Sequence, residues 1–517
     1  MSSSRRRFLQ LSEAAALGGL RPAPAAQETA ASDFVLEPAK KVPVARQVDV
    51  VVAGAGIAGL FAALGAAKFG AKTILADRFG EVGGNIGPGM IIGGSLYSEV
   101  SATHYGGVLC GIPKTFMERV ERAIRDQPRT YPAQSQAVSR TATEMMEKAG
   151  VETILSVYAA DPILDGSRVE GLFLETKSGR IAVRAKVVVD ATGDADVARR
   201  AGAPARYGCA PEECKSPNVL PQYDDPNFAR WNETGLVWMV AGAEISGYNA
   251  FIRQDYQLTA QDKKWLEEEL NLDERTNYKF GGWPARMVPV LRRAWQSGEF
   301  RVVKQIRKGF GVCFCNWFEG WGNSIVSGRT QARGEYDAAN WEHVSLLESA
   351  VRTMTYDGVR FLRRNVAGFE NAYLIDIAPF LGGRGGPHIE AQHTLTPQES
   401  WAGTRFPDVM YVNFGEVPRG ANKSGHDMPY AMTLPKKIEG LVVTARGAGY
   451  IRRGHDPGTR IRPNMMSLGQ AAGMAAALAV RQGVTPRKLE VKQLQMALLE
   501  EGFYLGDDAR LAQLGLK

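Results

Sequence analysis

Gln47-Val48-Asp49-Val50-Val51-Val52-Ala53-Gly54-Ala55-Gly56-Ile57-Ala58-Gly59-Leu60-Phe61-Ala62-Ala63 is an apolar run that breaks into three glycines and resumes as an alanine-rich segment. The order reads as strand, tight turn and helix. Gly54 permits the turn, Gly56 lets the backbone approach a pyrophosphate, and Gly59 lets the helix pack closely on the strand. Phosphates then meet the free N–H groups and the positive dipole end of the helix. Downstream, Thr73-Ile74-Leu75-Ala76 is a second apolar strand, and Asp77 stands at its end, about where an acid accepts from ribose hydroxyls. The stretch predicts a dinucleotide site at the head of an α/β fold.

The bulk properties agree with a large folded enzyme-sized chain. It has 517 residues, 44% hydrophobic and 23% charged, enough for a sizeable core in two linked domains. Its 57 glycines, many in pairs within apolar sequence, suit a protein that brings backbone close to a large ligand. The formal charge is +7, and Arg5, Arg6, Arg7 and Arg21 of that balance lie near the N-terminus. What is left is mild and forms no basic patch, which argues against nucleic acid as a partner. Residues 1–26 are expected to be a signal peptide: Ser4-Arg5-Arg6-Arg7-Phe8-Leu9 resembles a twin-arginine motif, followed by small apolar residues and Ala-Pro-Ala-Ala. That predicts a periplasmic protein; a disordered basic tail is the alternative. Residues 27–46 read as a linker, and no run of about 18 apolar residues predicts a membrane span. Cys110, Cys209, Cys214, Cys313 and Cys315 have no metal spacing; Cys209 and Cys214 are a possible pair, and free buried thiols are the plainer expectation.

Along the chain, residues 115–149 carry helical apolar spacing, closed by Gly150, and make a helical insertion at 110–150. Glu152–Tyr158 reads as a strand, Val169–Glu175 and Arg180–Ala185 as a hairpin, and Lys186–Asp190 as a buried strand entering the turn Ala191-Thr192-Gly193-Asp194-Ala195-Asp196. In a doubly wound sheet that turn sits at the carboxyl edge, by the dinucleotide crevice. Between 201 and 429 the pattern changes, and all nine tryptophans fall there; most are expected in the core, with stacking on a flat ligand as the alternative. Trp341–Arg364 reads as a long amphipathic helix. Leu441–Gly447 is a further buried strand, and Pro463-Asn464 opens a helix rich in glycine and alanine.

Asp77, a short spacer and Gly83-Gly84-Asn85 resemble what the large two-domain flavoproteins carry, which favours FAD over NAD. Gly54-Ala55-Gly56-Ile57-Ala58-Gly59, Val189–Asp196, His393-Thr394-Leu395-Thr396 and the block from Leu441 to Gly473 together resemble the bacterial FAD-dependent oxidoreductase family, related more distantly to fumarate reductase and ketosteroid dehydrogenase flavoproteins. The resemblance implies an α/β fold: a Rossmann-like FAD-binding domain, 47–200 and 430–517, with an inserted mixed α+β substrate domain, 201–429. It also implies that Gly54, Gly56, Gly59, Asp77, Gly84, Gly193 and Asp194 lie along FAD, and that the turn before Asn464 approaches the flavin. Gly83 and Asn85 join this set, Asn85 either as a flavin contact or as a turn residue. A helix N-terminus at Pro463 would stabilise the negative pyrimidine edge of a reduced flavin. The chain departs from the family at Gly382-Gly383-Arg384-Gly385-Gly386, where an arginine-rich stretch is usual.

Flavin chemistry needs a hydride path to N5 and usually a group that exchanges a proton with the substrate. Of six histidines, His388 and then His393 are the expected proton-transfer residues, because they follow a glycine-rich loop and titrate near neutrality. Arg384 and Arg460 are the expected cations for a substrate oxygen or carboxylate. The expected activity is hydride transfer between a small organic substrate and FAD, with an unidentified electron acceptor. A flavin-binding protein of the same fold without turnover is the alternative.

Overall fold

Val50, Val51 and Val52 are all fully buried because successive side chains enter different cores. Strand alternation sends Val50 and Val52 to one face of a sheet and Val51 and Ala53 to the other, and both faces are covered. That is why the run is continuously apolar rather than alternating. The computed structural model describes residues 37–90, 109–125, 131–208, 232–270, 283–307, 310–315, 318–321, 324–334, 337–383, 385–414, 425–451 and 462–517.

Strand β1 (Val44–Ala53) turns at the glycines into α1 (Ile57–Lys68), which returns to β2 (Thr73–Ala76) parallel to β1. β1 begins ahead of the expected Gln47, because Val44 pairs with Ala182 and the Pro43 carbonyl accepts from the Ala182 N–H. Helices α2 (Gly111–Ile124) and α3 (Tyr131–Lys148) follow, and Gly150 at φ +71 ends the second. The strand expected through Tyr158 is two strands, β3 (Glu152–Ile154) and β4 (Tyr158–Asp165), interrupted where Ser156 takes φ +57. β4 pairs with β5 (Arg168–Thr176). The hairpin arm and the buried run that the sequence separates at Lys186 are one strand, β6 (Gly179–Asp190). Its first half pairs antiparallel with β5, while β1 runs parallel along its other edge. α4 (Asp196–Arg200) and β7 (Ala205–Tyr207) complete this half.

A second sheet is built from β8 (Asn232–Ala241) and, after helices α5 (Ile245–Ile252), α6 (Ala260–Glu268) and α7 (Val288–Gln296), from β9 (Val303–Arg307), β10 (Phe310–Phe314), β11 (Glu319–Trp321) and β12 (Ile325–Gly334). Helix α8 (Trp341–Asn365) then leads to β13 (Tyr373–Ile377) and β14 (Gly382–Gly383). The order is β13-β8-β12-β10-β9, with β11 beside β12 and β14 beside β8. α8 lies against the sheet through Gly358, where a Cβ would sit 2.3 Å from the Phe314 ring. Trp238 is fully buried and stacks on Phe314 at 5.2 Å, and Trp265 is also buried; both are core, whereas Trp341 is 77% exposed.

The chain then returns to the first sheet. β15 (Pro387–Ile389) pairs with β7, α9 (Pro397–Ala402) follows, and β16 (Val409–Asn413) and β17 (His426–Pro429) form a ribbon. β18 (Leu441–Val443) joins the far end of β6 in parallel, Leu441 opposite Val188. The parallel part therefore reads β3-β2-β1-β6-β18, a doubly wound arrangement, and Pro43–Lys517 forms one compact unit. α10 (Arg462–Gln482), α11 (Val491–Glu500) and α12 (Asp508–Gln513) close the chain. α10 packs on α1 through its glycines: a Cβ on Gly469 would lie 2.2 Å from the Ala58 carbonyl oxygen, and one on Gly473 would lie 2.0 Å from that of Ala62. Among the described residues no helix is long and apolar enough to cross a membrane.

Candidate cofactor and active site

Three glycines of the first turn have three different reasons to be glycine. Gly54 takes φ +99, and a Cβ there would meet the Ala191 carbonyl oxygen at 2.6 Å. A Cβ on Gly59 would stand 1.8 Å from the Gly54 oxygen, so side-chain absence lets helix meet turn. A Cβ on Gly56 would meet no atom of the described residues within 4 Å, although Gly56 sits in extended geometry at the N-cap of α1. No contact among the described residues demands glycine there; the bare backbone opens onto space at the N-terminal end of a helix, where first-turn N–H groups have no partner within the helix. A dinucleotide's pyrophosphate fits that requirement.

The second glycine pair is drawn to the same point. Gly84 at φ +51 has no room for a Cβ, which would lie 2.7 Å from Gly56 Cα, and the Gly83 N–H donates to the Ala55 carbonyl at 2.9 Å. Asn85 lies in the short helical turn Gly84–Ile86, half-buried. The Asp77 carboxylate accepts from the Ala55 N–H and, at 2.8 Å, from the Phe79 N–H. Burial raises its pKa against those two bonds. Asp77 thus braces the glycine loop; each of its oxygens keeps a further lone pair for a ribose hydroxyl.

Behind Gly54 stands the turn after β6. Buried Asp190 accepts from the Thr192 hydroxyl at 2.6 Å and the Ala198 N–H at 2.9 Å, and burial pushes its pKa up. This fixes the turn at Gly193 (φ +90) and Asp194. Asp194 makes a two-pronged ion pair with Arg446, Oδ1 to Nε at 3.1 Å and Oδ2 to Nη2 at 2.7 Å, while Arg446 Nη1 donates to the Gly383 carbonyl at 2.8 Å. Gly386 at φ +124 leaves no room for a side chain, since a Cβ would be 2.2 Å from Asp194 Oδ1. Arg446 therefore ties the first sheet's turn to β14 of the second sheet and to the loop leading to His388. The two partners of this pair lie 252 residues apart along the chain.

His388 is fully buried in β15, opposite Arg206. His393 is partly exposed; its Nε2 lies 3.2 Å from Glu399, the carboxylate that also caps α9, and its ring packs on Phe406. Arg384 and Arg460 lie outside the described residues, as do Cys209, Cys214 and the turn immediately before Arg462. Cys110, Cys313 and Cys315 form no disulfide among the described residues; burial, with Glu501 nearby, pushes Cys110 up to about 12. Asn464 is fully buried in the first turn of α10, where the Tyr411 hydroxyl donates to its Oδ1 at 2.6 Å. Tyr411 was not anticipated: an aromatic in an apolar strand carries no sign that its hydroxyl reaches a distant helix. The structure thus brings Gly54, Gly56, Gly59, Asp77, Gly83, Gly84 and the Gly193 turn together around the end of α1.

A doubly wound sheet with glycine turn, second glycine pair and bracing acid defines a dinucleotide-binding α/β protein. Over residues 49–498 the chain matches the FAD dependent oxidoreductase family, and it belongs to that family. A thiamine thiazole synthase of Desulfosudis oleivorans is 29% identical over 158 residues, 29% of this chain and 57% of that protein, so the match spans a little over half of the relative's length. Among solved structures, a geranylgeranyl bacteriochlorophyll reductase-like protein of Thermoplasma acidophilum shares 13% identity over 89% of this chain and 84% of its own, with a TM-score of 0.38. The p-nitrophenol 4-monooxygenase of Pseudomonas putida shares 10% identity over 91% and 92%, with a TM-score of 0.35.

Proposed function

We propose that the protein transfers a hydride between a small organic substrate, at a carbon–oxygen or carbon–carbon bond, and the N5 of FAD. The observation that carries the cofactor's placement is Gly56, whose missing side chain serves no contact among the described residues. On this reading Gly54, Gly56 and Gly59 take the pyrophosphate at the end of α1, Asp77 receives the ribose, and Gly83, Gly84 and Asn85 line the adjoining turn. Gly193 and Asp194 flank the cofactor with Arg446 holding them, and the first turn of α10 at Asn464 lies toward the flavin. FAD supplies the two-electron acceptor or donor; the chain's own residues orient the substrate and move its proton. His388 follows the Gly386 loop held by the Asp194–Arg446 pair and is assigned first to proton transfer, His393 with Glu399 second. Arg384 and Arg460 are assigned to the substrate's oxygen or carboxylate.

In this reading residues 47–200 and 430–517 bind FAD, and 201–429 faces the substrate. Residues 1–26 direct export to the periplasm by the twin-arginine route. The decisive experiment is Gly56→Val: the purified variant should lose the visible flavin spectrum while keeping its fold by circular dichroism, and a retained spectrum would remove the assignment. Anaerobic bleaching of the wild-type flavin by a substrate panel identifies the reductant, and His388→Ala should slow that bleaching with FAD still bound. Changing Arg5 and Arg6 together to Lys should hold the protein in the cytoplasm on fractionation.

A further inference from the structure

We propose that the buried imidazole of His426 is a contact of FAD's flavin end, donating a hydrogen bond to the pyrimidine edge of the ring. The inference rests on the cofactor placement proposed above. Its first support is the direction of α10. The paired approaches Ala58 to Gly469 and Ala62 to Gly473 mean that α1 and α10 run in the same sense. The reverse approach, a Cβ on Gly65 lying 2.7 Å from the Gln470 carbonyl oxygen, brackets the register from the other side, so α1 begins at Ile57 at the level of about Met465 and the first residues of α10, from Arg462, project beyond it. At the rise of an α-helix that overhang is about 4.5 Å, a little under one turn. With the pyrophosphate at the end of α1, as proposed, the overhang would lie beside the part of the cofactor beyond it.

The second support is the ribbon beside the overhang. Tyr411 reaches Asn464 from β16. Asn413, two residues on, shares its face, and His426 is directly opposite Asn413 on β17. Tyr411, Asn413, His426, Asn464 and Ser467 are all buried, an unusual density of polar side chains for a core. His426 is 3% exposed, and neither ring nitrogen has a hydrogen-bond partner among the described residues. Its neighbour Asp427, on the opposite face, is fully engaged with Arg405 at 2.8 Å, Arg510 at 3.0 Å and the Phe406 N–H at 2.7 Å. Burial, with Arg405 adding to it, pushes the imidazole down to about 4, so it is neutral with one N–H to give. A buried polar ring without a partner costs stability unless a ligand supplies one.

The test uses the full-length protein with FAD, and the variants His426→Leu and His426→Gln. His426→Leu removes an unpaired polar group, so melting of the FAD-free protein is unchanged or raised. With FAD bound, loss of a donor to the negative edge weakens binding of reduced relative to oxidised FAD at least tenfold, a fall in midpoint potential of about 30 mV for a two-electron couple. His426→Gln keeps a donor and recovers part of that fall. A His426→Leu protein with bound FAD and an unshifted potential overturns the proposal, and so does a variant that fails to fold, since the ring would then have a structural partner. If Gly56→Val retains FAD, the cofactor placement falls and this inference with it; if Gly56→Val loses FAD but His426→Leu leaves the potential unmoved, the His426 inference alone falls.

Discussion

On the proposed placement, the glycine turn at Gly54–Gly59 and the β16–β17 ribbon at Asn413 and His426 both reserve room for a ligand, in opposite ways. The turn leaves atoms out: a side chain at Gly56 would enter open space, while its neighbours Gly54 and Gly59 are packed against backbone. The ribbon puts polar atoms in, where an apolar core would be cheaper. A ligand site encoded by missing side chains is written in local spacing; one encoded by buried polar groups depends on which strands and helices meet.

The sharpest way to break this contrast is to fill the seam that fixes the overhang of α10. Gly473→Leu forces α10 off α1 and should cost about 3 kcal/mol or more, read by chemical denaturation. A loss under 1 kcal/mol would mean that the helices separate freely and the overhang is not fixed. Acid titration probes the ribbon. His426 is neutral in the folded protein, with a pKa of about 4 against an ordinary value of 6.5, so its contribution is complete above pH 6.5 and is lost as pH falls toward 4. The loss is about 3 kcal/mol, and His426→Leu should flatten that part of the stability profile. Identical slopes in both proteins would place the imidazole in water.

Smaller effects refine the seam between the sheets. Arg446→Met strands the Asp194 carboxylate and frees the Gly383 carbonyl, at a cost of about 2 kcal/mol given their partial exposure. Arg446→Lys should restore only part, since one ammonium cannot reproduce the fork; full recovery would reduce the pair to simple charge attraction. Smallest of all is Gly56→Ala, expected to shift the stability of the FAD-free protein by only a few tenths of a kcal/mol. A large loss there would turn Gly56 into another packing glycine and erase its contrast with Gly59.

The first sheet was legible because its signals are local. Val50–Val52 bury both faces, and three glycine positions follow within one turn. The boundaries were less so: Lys186 looks like the start of a new strand because its charge interrupts an apolar pattern, yet it only marks an outward-facing position in β6. Ser156, a non-glycine at φ +57, broke a strand that composition left continuous. In the candidate site, the spacing of Asp77 and Gly84 pointed to their meeting with the glycine turn. The partners of Asp194, Asn464 and His393 did not show, because each depends on a contact set by tertiary packing rather than by neighbours along the chain.

The order in which the chain emerges gives β18 a further meaning. β6 is complete at Asp190, but the edge beside Val188 and Val189 gains its partner only when Leu441 and Val442 have been made. α10, which covers α1, comes later still. During synthesis the central sheet therefore waits, with one edge open and one helix uncovered, for about 250 residues that build the second sheet in the meantime. A chain interrupted before Leu441 presents an unpaired, valine-rich strand edge, the kind of surface on which other chains add.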